Sequence, residues 1–287
     1  SAGDRSGDYY NLGNLSAGTA IRLNVARPGS SKAYPRINIY DGQNAVVYQG
    51  SGLGTNEFIV PPGGDGAYKV WMESLAPART TDAGPFLVLN GANQYVNTGT
   101  WTPGAVYTVE AWVRPSAYYS SRRAIAGAWS SCQDWGLTIV DGRFGVSIRP
   151  PSGCSDTVLS DERYELDRWY HVAATCDGTT AKIYVNGALK KSAPVASDYS
   201  PAGNGLWIGN NTCCGEAFAG VIDEVSVWNR ALSDSEISTG INQALAGTEP
   251  GLLGYWQFDE GSGTTIADRS FSAHNGTVIN GGGHNPI

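Results

Sequence analysis

The chain has 287 residues, of which 41% are hydrophobic and only 16% charged, so it is long enough for two globular domains and too apolar to be disordered. The net charge of −7, with no Lys/Arg-rich stretch, argues against binding to nucleic-acid phosphates. The sequence contains no run of 18 apolar residues, so it predicts no membrane insertion.

Short apolar runs separated by turns fill residues 8–72 and predict a small β-sandwich. Arg36–Tyr40 alternates with period two, and the Asp41-Gly42 step then turns the chain into Ala45–Tyr48, which is typical of a hairpin. Ala67–Met72 is expected to be the last strand. Beyond it, residues 73–85 become rich in Ala, Pro, Thr and Gly, which predicts a linker.

Four segments of this first module carry a family resemblance: Asp8-Tyr9-Tyr10, Ser16-Ala17-Gly18-Thr19, Arg36-Ile37-Asn38-Ile39-Tyr40-Asp41 and Gly66-Ala67-Tyr68-Lys69-Val70. With these segments the module resembles the pre-peptidase C-terminal domain, a small β-sandwich appended to secreted bacterial enzymes. The expected domains are therefore residues 1–78 and residues 79–287.

The second module has a longer series of strand motifs. In chain order they include Phe86–Leu89, Tyr107–Pro115, Trp135–Ile139, Gly142–Val146, Trp169–Thr175, Ala181–Val185, Leu206–Asn210 and Gly220–Leu232. Their order and spacing over residues 84–280 resemble the laminin-G-like (concanavalin-A-like) jelly roll. The resemblance implies an all-β protein made of two sandwiches. It does not imply a ligand, because lectins, adhesins and hydrolases share this fold.

Two segments near the end of the chain complete the predicted fold. Asp234–Leu245 has a helical pattern, with Ser233 as N-cap and Glu236 three residues later, so one short helix is expected near 234–245. Gly251–Thr264 is interpreted as the closing strand of the second sandwich, and the alternative is a remnant of a following repeat.

An aromatic and polar stretch over 116–134 indicates a ligand site, together with the loop 210–218. Aromatic faces combined with planar polar side chains suit sugar rings. The alternative is that Trp135 anchors the core and that the tyrosines are merely exposed. The predicted ligand-binding residues are Tyr118, Tyr119, Arg122, Trp129, Asp134, Asn211 and Glu216.

Asp223 is the candidate calcium ligand. Period two would place it on one core-facing side with Val221, Val225 and Val227, where a lone carboxylate is costly unless it is paired. Relatives with this fold often hold a structural calcium near such an aspartate, and Asn90 in the turn after the first strand is the expected further oxygen donor. A salt bridge is the alternative, and Asp268 is a weaker second candidate.

The five cysteines predict disulfides and hence an oxidising, extracellular or cell-surface location. Cys132 and Cys154 are expected to pair. For the other three cysteines two pairings are open: either Cys176 pairs with Cys213 or Cys214, or Cys213 and Cys214 form a vicinal disulfide and Cys176 stays a buried thiol.

Catalysis is not expected. A glycosidase needs two carboxylates facing each other, and Asp223 and Glu224 are adjacent strand residues that should point to opposite faces. Glu110 and Glu224 are the remaining pair that shares a face, and His171 is interpreted as structural.

The sequence therefore predicts a non-catalytic carbohydrate-binding or adhesive module pair of a secreted, bacterial multidomain protein, whose partner is a polysaccharide or glycoconjugate. The alternative is a structural extracellular-matrix or surface-layer component that binds itself or neighbouring modules. A glycoside hydrolase is the third and least favoured hypothesis.

Overall fold

The structure is a computed structural model that describes residues 8–25, 34–51, 54–75, 85–129, 134–148, 157–201, 205–211, 215–241, 243–281 and 283–284. The chain divides by its internal contacts into two compact units, Ser1–Thr80 and Thr81–Ile287. The regular structure in the described residues is nearly all β-strand, which confirms the predicted fold class. Within these ranges, no helix has the length and apolar character that crossing a membrane requires.

The first unit has two small sheets. Its strands are β1 (Asp8–Leu15), β2 (Ala20–Val25), β3 (Tyr34–Tyr40), β4 (Val46–Ser51), β5 (Gly54–Ile59) and β6 (Gly66–Leu75). One sheet has the order β1-β6-β3-β4 and the other pairs β2 with β5. Ile21 of β2 and Ile37 of β3 belong to one buried cluster, so the two sheets share a core. The predicted hairpin at Asp41 is confirmed by the pairing of β3 with β4, and β6 extends through the first residues of the predicted linker to Leu75.

The second unit contains the remaining strands and the helix. They are β7 (Leu87–Asn90), β8 (Tyr95–Asn97), β9 (Val106–Pro115), β10 (Arg123–Ala128), β11 (Trp135–Val140), β12 (Arg143–Ile148), β13 (Thr157–Leu159), β14 (Tyr170–Asp177), β15 (Thr180–Val185), β16 (Ala188–Pro194), β17 (Trp207–Ile208), β18 (Ala219–Trp228), α1 (Asp234–Gly240), β19 (Leu252–Trp256), β20 (Thr265–Ile266), β21 (Gly276–Ile279) and β22 (Gly283–His284).

Two large antiparallel sheets form the sandwich of this unit. One has the order β13-β12-β11-β10-β17-β8-β21-β20, and the other has the order β16-β15-β14-β9-β18-β7-β22, with β19 paired to β18. Val109 and Val227 of one sheet share a buried cluster with Leu137 and Val146 of the other. The predicted strand in Gly251–Thr264 belongs to this sandwich as β19, which pairs with β18, but the strand that lies beside the first strand, β7, is β22.

A β-bulge in β18 corrects the predicted alternation of this strand. The register with β9 shifts between Asp223 and Ser226, where Glu224 has a φ of 51°. Bulges insert an extra residue and re-aim the side chains that follow. Val225 and Val227 therefore face the sandwich core, whereas Val221 belongs to a separate cluster. The expectation that Asp223 shares one face with all three valines is wrong for this reason.

The helix α1 begins as predicted. The Ser233 side chain accepts a hydrogen bond from the Glu236 amide, and the Glu236 carboxylate accepts one from the Ser233 amide, which completes the capping box. It ends at Gly240 with Ile241 as C-cap, five residues before Leu245, because glycine is a poor helix former.

Candidate functional site

Three loops of the second unit come together at one end of the sandwich. They connect β9 to β10, β11 to β12, and β13 to β14. Side chains of these loops, together with Arg123 at the start of β10, form a group that we call the tyrosine platform: Tyr118, Tyr119, Arg123, Asp141, Arg163 and Tyr164. Tyr164 is its buried member. Two of the predicted ligand-binding residues, Tyr118 and Tyr119, belong to it.

Tyr164 holds the three loops together. Its amide donates to the Gly142 carbonyl oxygen at 2.8 Å, and its hydroxyl donates to the Ala117 carbonyl oxygen at 2.8 Å. Its ring also packs against Phe144, which belongs to the sandwich core, with the centroids 5.3 Å apart. Burial raises the pKa of the Tyr164 hydroxyl well above its usual range, and the neighbouring Tyr119 and Tyr118 add to the effect. The hydroxyl therefore stays protonated and keeps donating.

Tyr118 presents the most accessible aromatic ring of the platform. It stacks nearly parallel on Tyr164, with a centroid distance of 5.4 Å and an interplanar angle of 16°, yet it remains 56% exposed. The Tyr118 ring and the Arg163 stem both approach to within 3.6 Å of the position that a Gly142 side chain would occupy. Tyr164 therefore covers one face of the Tyr118 ring, and the Arg163 stem lies close to its edge.

An exposed ion pair borders this ring. Arg163 Nη2 lies 2.6 Å from Asp141 Oδ2, and the two side chains are 57% and 51% exposed. Asp141 and Gly142 form the two-residue turn between β11 and β12, with φ values of 50° and 73°. Two positive φ angles identify a type I′ hairpin turn, which holds the aspartate backbone rigid.

Tyr119 is bound on several sides. Its hydroxyl accepts a hydrogen bond from the Ala219 amide at 3.0 Å, and the Arg123 guanidinium lies over its ring, 4.4 Å from the centroid. Arg123 also donates to Ser121 Oγ and to the Arg122 carbonyl oxygen. Tyr119 therefore supports the platform and offers less ring surface than Tyr118.

Four of the other predicted residues also come together, but they bind one another. Arg122 lies between Asp134, at 2.8 Å, and Glu216, at 2.9 Å. Asn211 donates to the same glutamate, and Ser147 accepts from the guanidinium. We call these five residues the arginine cluster. Burial alone would lower the pKa of Arg122, but its bonds to Glu216 and Asp134 raise it above the usual value. The side chains of Arg122 and Asp134 are only 19% and 0% exposed, so the cluster's groups are saturated internally.

Trp129 does not join either group on the surface. Its side chain is 2% exposed, and Trp135 is fully buried in the core. A sugar ring cannot stack on an indole that the protein covers. Of the aromatic residues predicted to bind ligand, only the two tyrosines are accessible.

Asn90 and Asp223, the two predicted calcium ligands, lie apart. Asn90 pairs with Ala219 at the start of β18, four residues before Asp223, a separation of roughly 13 Å along a strand. Asp223 is fully buried, and among the described residues no group of three or more acidic, His or Cys side chains is arranged to hold a metal ion. Asn90 does not fit as the partner of Asp223. Calcium at Asp223 stays a prediction, which equal melting shifts of wild type and Asp223→Asn with a chelator would contradict.

Asp268, the weaker calcium candidate, has a structural role. Its two oxygens accept hydrogen bonds from the amides of Tyr255, Ser270 and His274 and from the Ser270 hydroxyl. Such a carboxylate is satisfied by protein donors, because each oxygen already accepts two hydrogen bonds.

The cysteine predictions fall largely outside the described residues. Cys132, Cys154, Cys213 and Cys214 belong to ranges that the structure does not describe, so both predicted disulfides stay predictions. Cys176 is a buried free thiol. This agrees with the alternative in which Cys213 and Cys214 pair with each other.

Glu110 and Glu224 are both engaged with protein groups. Glu110 accepts from Trp228 Nε1 at 3.1 Å and is 8% exposed, and Glu224 accepts from the Tyr255 hydroxyl. Acid–base hydrolysis of a glycoside needs two carboxyl groups that flank an open cleft. The described carboxylates on β9 and β18 do not present one.

Tyr164, Asp141 and Arg163 are platform residues that the sequence reasoning missed. The Asp141-Gly142 dipeptide between two alternating runs was a usable signal, because it is typical of a type I′ hairpin. Nothing local pairs Tyr164 with Tyr118, which lies 46 residues earlier in the chain. That contact depends on the tertiary fold.

Comparisons with known proteins agree with this architecture. The solved structure of a candidate carbohydrate-binding protein from Bacteroides ovatus superposes with a TM-score of 0.55 at 17% identity, over 96% of this chain and 91% of that one. The beta subunit of N,N-dimethylformamidase from Paracoccus aminophilus is 24% identical over 95% of this chain, and mouse pappalysin-1 is 26% identical over 47%. The chain spans only 39% and 10% of the lengths of these two relatives. The family model of the concanavalin A-like lectin/glucanases superfamily matches residues 90–238, more than half of the chain, and the chain therefore belongs to this superfamily.

Proposed function

We propose that the second unit is a non-catalytic carbohydrate-binding module that takes a polysaccharide or glycoconjugate on the tyrosine platform. Membership of a superfamily of lectins and glucanases supports carbohydrate as the ligand class. The Bacteroides ovatus structure described as carbohydrate-binding supports it further. A fold alone does not fix a ligand, so the proposal depends on the platform.

The observation that carries the proposal is the half-exposed ring of Tyr118. The apolar face of a pyranose packs well against an aromatic face, and large rigid rings give contact area at low entropic cost. Tyr164 already fixes the orientation of Tyr118 by parallel stacking. Less freedom is then lost when a ligand binds, which favours affinity.

The polar groups around the ring suit hydroxyl recognition. Asp141 and Arg163 lie beside it, and Arg123 is held nearby over Tyr119. A few placed polar groups next to an aromatic face are how small-ligand sites fix orientation. A single shallow surface of this kind gives modest affinity, so several modules acting together would strengthen attachment to a polymer.

We further propose that the chain is part of a larger secreted protein. The first unit would serve as an accessory sandwich of the pre-peptidase C-terminal type, as its motifs suggest. The relation to longer proteins, such as the formamidase subunit, supports a multidomain parent. Five cysteines in the sequence are compatible with an extracellular or cell-surface site.

A glycan array followed by calorimetric titration tests the binding proposal. Tyr118→Ala should lower the affinity for the polysaccharide that wild type binds by at least tenfold. Phe271→Ala is the matched control, because Phe271 is another exposed aromatic residue of the same unit, 85% accessible, outside the platform. Equal binding by wild type and both variants would place the site elsewhere. A chain that binds no glycan and self-associates would favour the structural alternative.

A further inference from the structure

We infer that the platform selects neutral glycans, and that the Asp141–Arg163 pair reads two neighbouring hydroxyl groups of the sugar stacked on Tyr118. This inference rests on the proposed function and adds the class of carbohydrate. Two observations support it: the charges around the platform are paired, and one oxygen of Asp141 and one nitrogen of Arg163 are available to a ligand.

The charges at this end of the unit cancel locally. Arg163 is paired with Asp141, and Arg122 is paired with Asp134 and Glu216. Arg123 is the one further cation of the platform, and the arginine cluster next to it carries one negative charge in excess. The sum over the platform and the arginine cluster is therefore three arginines against three carboxylates.

The acidic side chains in the loop before β14 are also paired with cations. Lys191, Lys190 and Arg168 lie within 3.2 Å of Asp161, Glu162 and Glu165, respectively. Recognition of sulfated or uronic polymers uses surplus Arg and Lys side chains. Beyond these pairs, the described residues add one cation, Arg143, directly after the Asp141-Gly142 turn, and one carboxylate, Asp167, in the loop before β14. The charges around the platform therefore still balance, and the whole chain has a net charge of −7.

The Asp141–Arg163 ion pair leaves one acceptor atom and further N–H donors available to a ligand. Its bond uses Asp141 Oδ2 and Arg163 Nη2, and Asp141 Oδ1 and Arg163 Nη1 have no partner among the described residues. One hydroxyl group can donate to the carboxylate while its neighbour accepts from the guanidinium, since a hydroxyl both donates and accepts. A carboxylate on the sugar would instead face Asp141 and lose the donated bond.

The pair is also held in place before any ligand binds. Asp141 sits in a type I′ turn, and the Gly142 carbonyl in that turn accepts from the Tyr164 amide. Tyr164 in turn supports the Tyr118 ring. The ring and the ion pair thus share one rigid base, which a two-point sugar contact requires.

Titration of matched polysaccharide pairs tests the inference. The probes are laminarin, soluble starch and galactomannan, each compared with its own C6-oxidised, uronic-acid form. For at least one probe, wild type should bind the neutral form at least tenfold more tightly than the oxidised form. That affinity should change less than twofold between 50 and 500 mM salt, because no phosphate-like or carboxylate charge is being neutralised.

Two conservative variants identify the residues responsible. Asp141→Asn and Arg163→Gln should each weaken binding of the neutral probe about tenfold. Glu165→Gln, which removes an exposed charge outside the ion pair, should bind within twofold of wild type. Asparagine tolerates the left-handed turn position, so Asp141→Asn should fold normally.

The outcomes separate the inference from the proposed function. Tighter, salt-sensitive binding of the oxidised form overturns the inference. So do wild-type affinities in both variants while Tyr118→Ala loses binding, and in that case the proposed function stands. If wild type binds no member of any probe pair and no glycan on the array, the proposed function and the inference fall together.

Discussion

The arginine cluster and the tyrosine platform are neighbours in the sequence, yet their polar groups do different things. Arg122 and Tyr118 lie four residues apart. The Arg122 side chain is 19% exposed and saturated by two carboxylates, whereas Tyr118 is 56% exposed on a fixed base. Both sets have the composition expected of a sugar site. The arginine cluster is buried, so it stabilises the fold. The platform is exposed, so a ligand can reach it.

Removing the cation of the arginine cluster should have the largest effect on stability. Arg122→Met leaves Asp134, fully buried, and Glu216 without a counter-charge. Breaking a buried pair by removing one partner costs about 3–5 kcal/mol. Denaturant unfolding followed by tryptophan fluorescence will measure the change, because eight of the nine tryptophans lie between residues 101 and 256.

The matched control for Arg122→Met is Arg163→Met on the platform. Its partner, Asp141, is 51% exposed, and exposed pairs contribute about 0–1 kcal/mol. Equal destabilisation by the two substitutions would contradict the division between a buried cluster and an open platform.

The aromatic residues should divide in the same way. Trp129→Ala removes an indole that is 2% exposed, and such truncations cost about 3–5 kcal/mol. Tyr118→Ala should change the unfolding free energy by no more than about 1 kcal/mol, since it removes a largely exposed ring. Glycan titration of the folded proteins should give the reverse order. A Trp129 variant that folds normally but loses binding would show that the sequence-based assignment was right.

Glu110 is a buried carboxylate that forms no ion pair with an arginine among the described residues, so it shows by contrast what Arg122 contributes to Asp134. The buried His171 lies 3.6 Å from it. Burial raises the pKa of Glu110 to about 7 and lowers the pKa of His171 to about 3. The raised pKa of Glu110 means that its stabilising contribution is full below about pH 4.5 and is lost as the pH rises to 7. This loss corresponds to about 3 kcal/mol.

Glu110→Gln should therefore gain stability relative to wild type as the pH is raised from 4.5 to 8. The amide oxygen still accepts from Trp228, and no charge forms. Unfolding free energies at the two pH values will measure this gain, with Glu165→Gln, whose side chain is 62% exposed, as control. A difference between Glu110→Gln and wild type that does not change with pH would contradict the assigned burial of Glu110.

The smallest expected effect is that of Tyr164→Phe. It removes the hydroxyl that donates to the Ala117 carbonyl oxygen at 2.8 Å, which should cost about 1 kcal/mol. Since the loop that carries Tyr118 is then less fixed, glycan affinity should fall a few-fold. Tyr118→Phe serves as control, because its ring stays while its hydroxyl is lost. A Tyr164→Phe variant with unchanged affinity would mean that the platform does not depend on this bond.

Much of the fold was predictable because strand alternation and turn chemistry are local. The Asp41 hairpin, the Ser233 cap and the strand at Leu252–Trp256 were all predicted in this way. The predicted alternation was wrong at Glu224, where a bulge interrupts period two. No glycine stands at that position to indicate a bulge in the sequence.

The candidate site was predictable only in composition. The stretch with Tyr118 and Arg122 was singled out correctly as unusual, but composition does not show which side chains are buried. Arg122 contacts Glu216, which lies 94 residues away in the sequence, and Tyr118 contacts Tyr164, which lies 46 residues away. Such contacts depend on strand order in the sheets, which single residues do not encode.

Hydroxyl-radical footprinting of the full chain with its bound polysaccharide tests the central claim most directly. Tyr118 should be oxidised readily in the free protein, since 56% of it is exposed, and Trp129 should not, since it is 2% exposed. Ligand should reduce oxidation of Tyr118 several-fold and leave Phe271 unchanged. Protection that appears at Phe271 or elsewhere, with Tyr118 oxidised as in the free protein, would contradict the account.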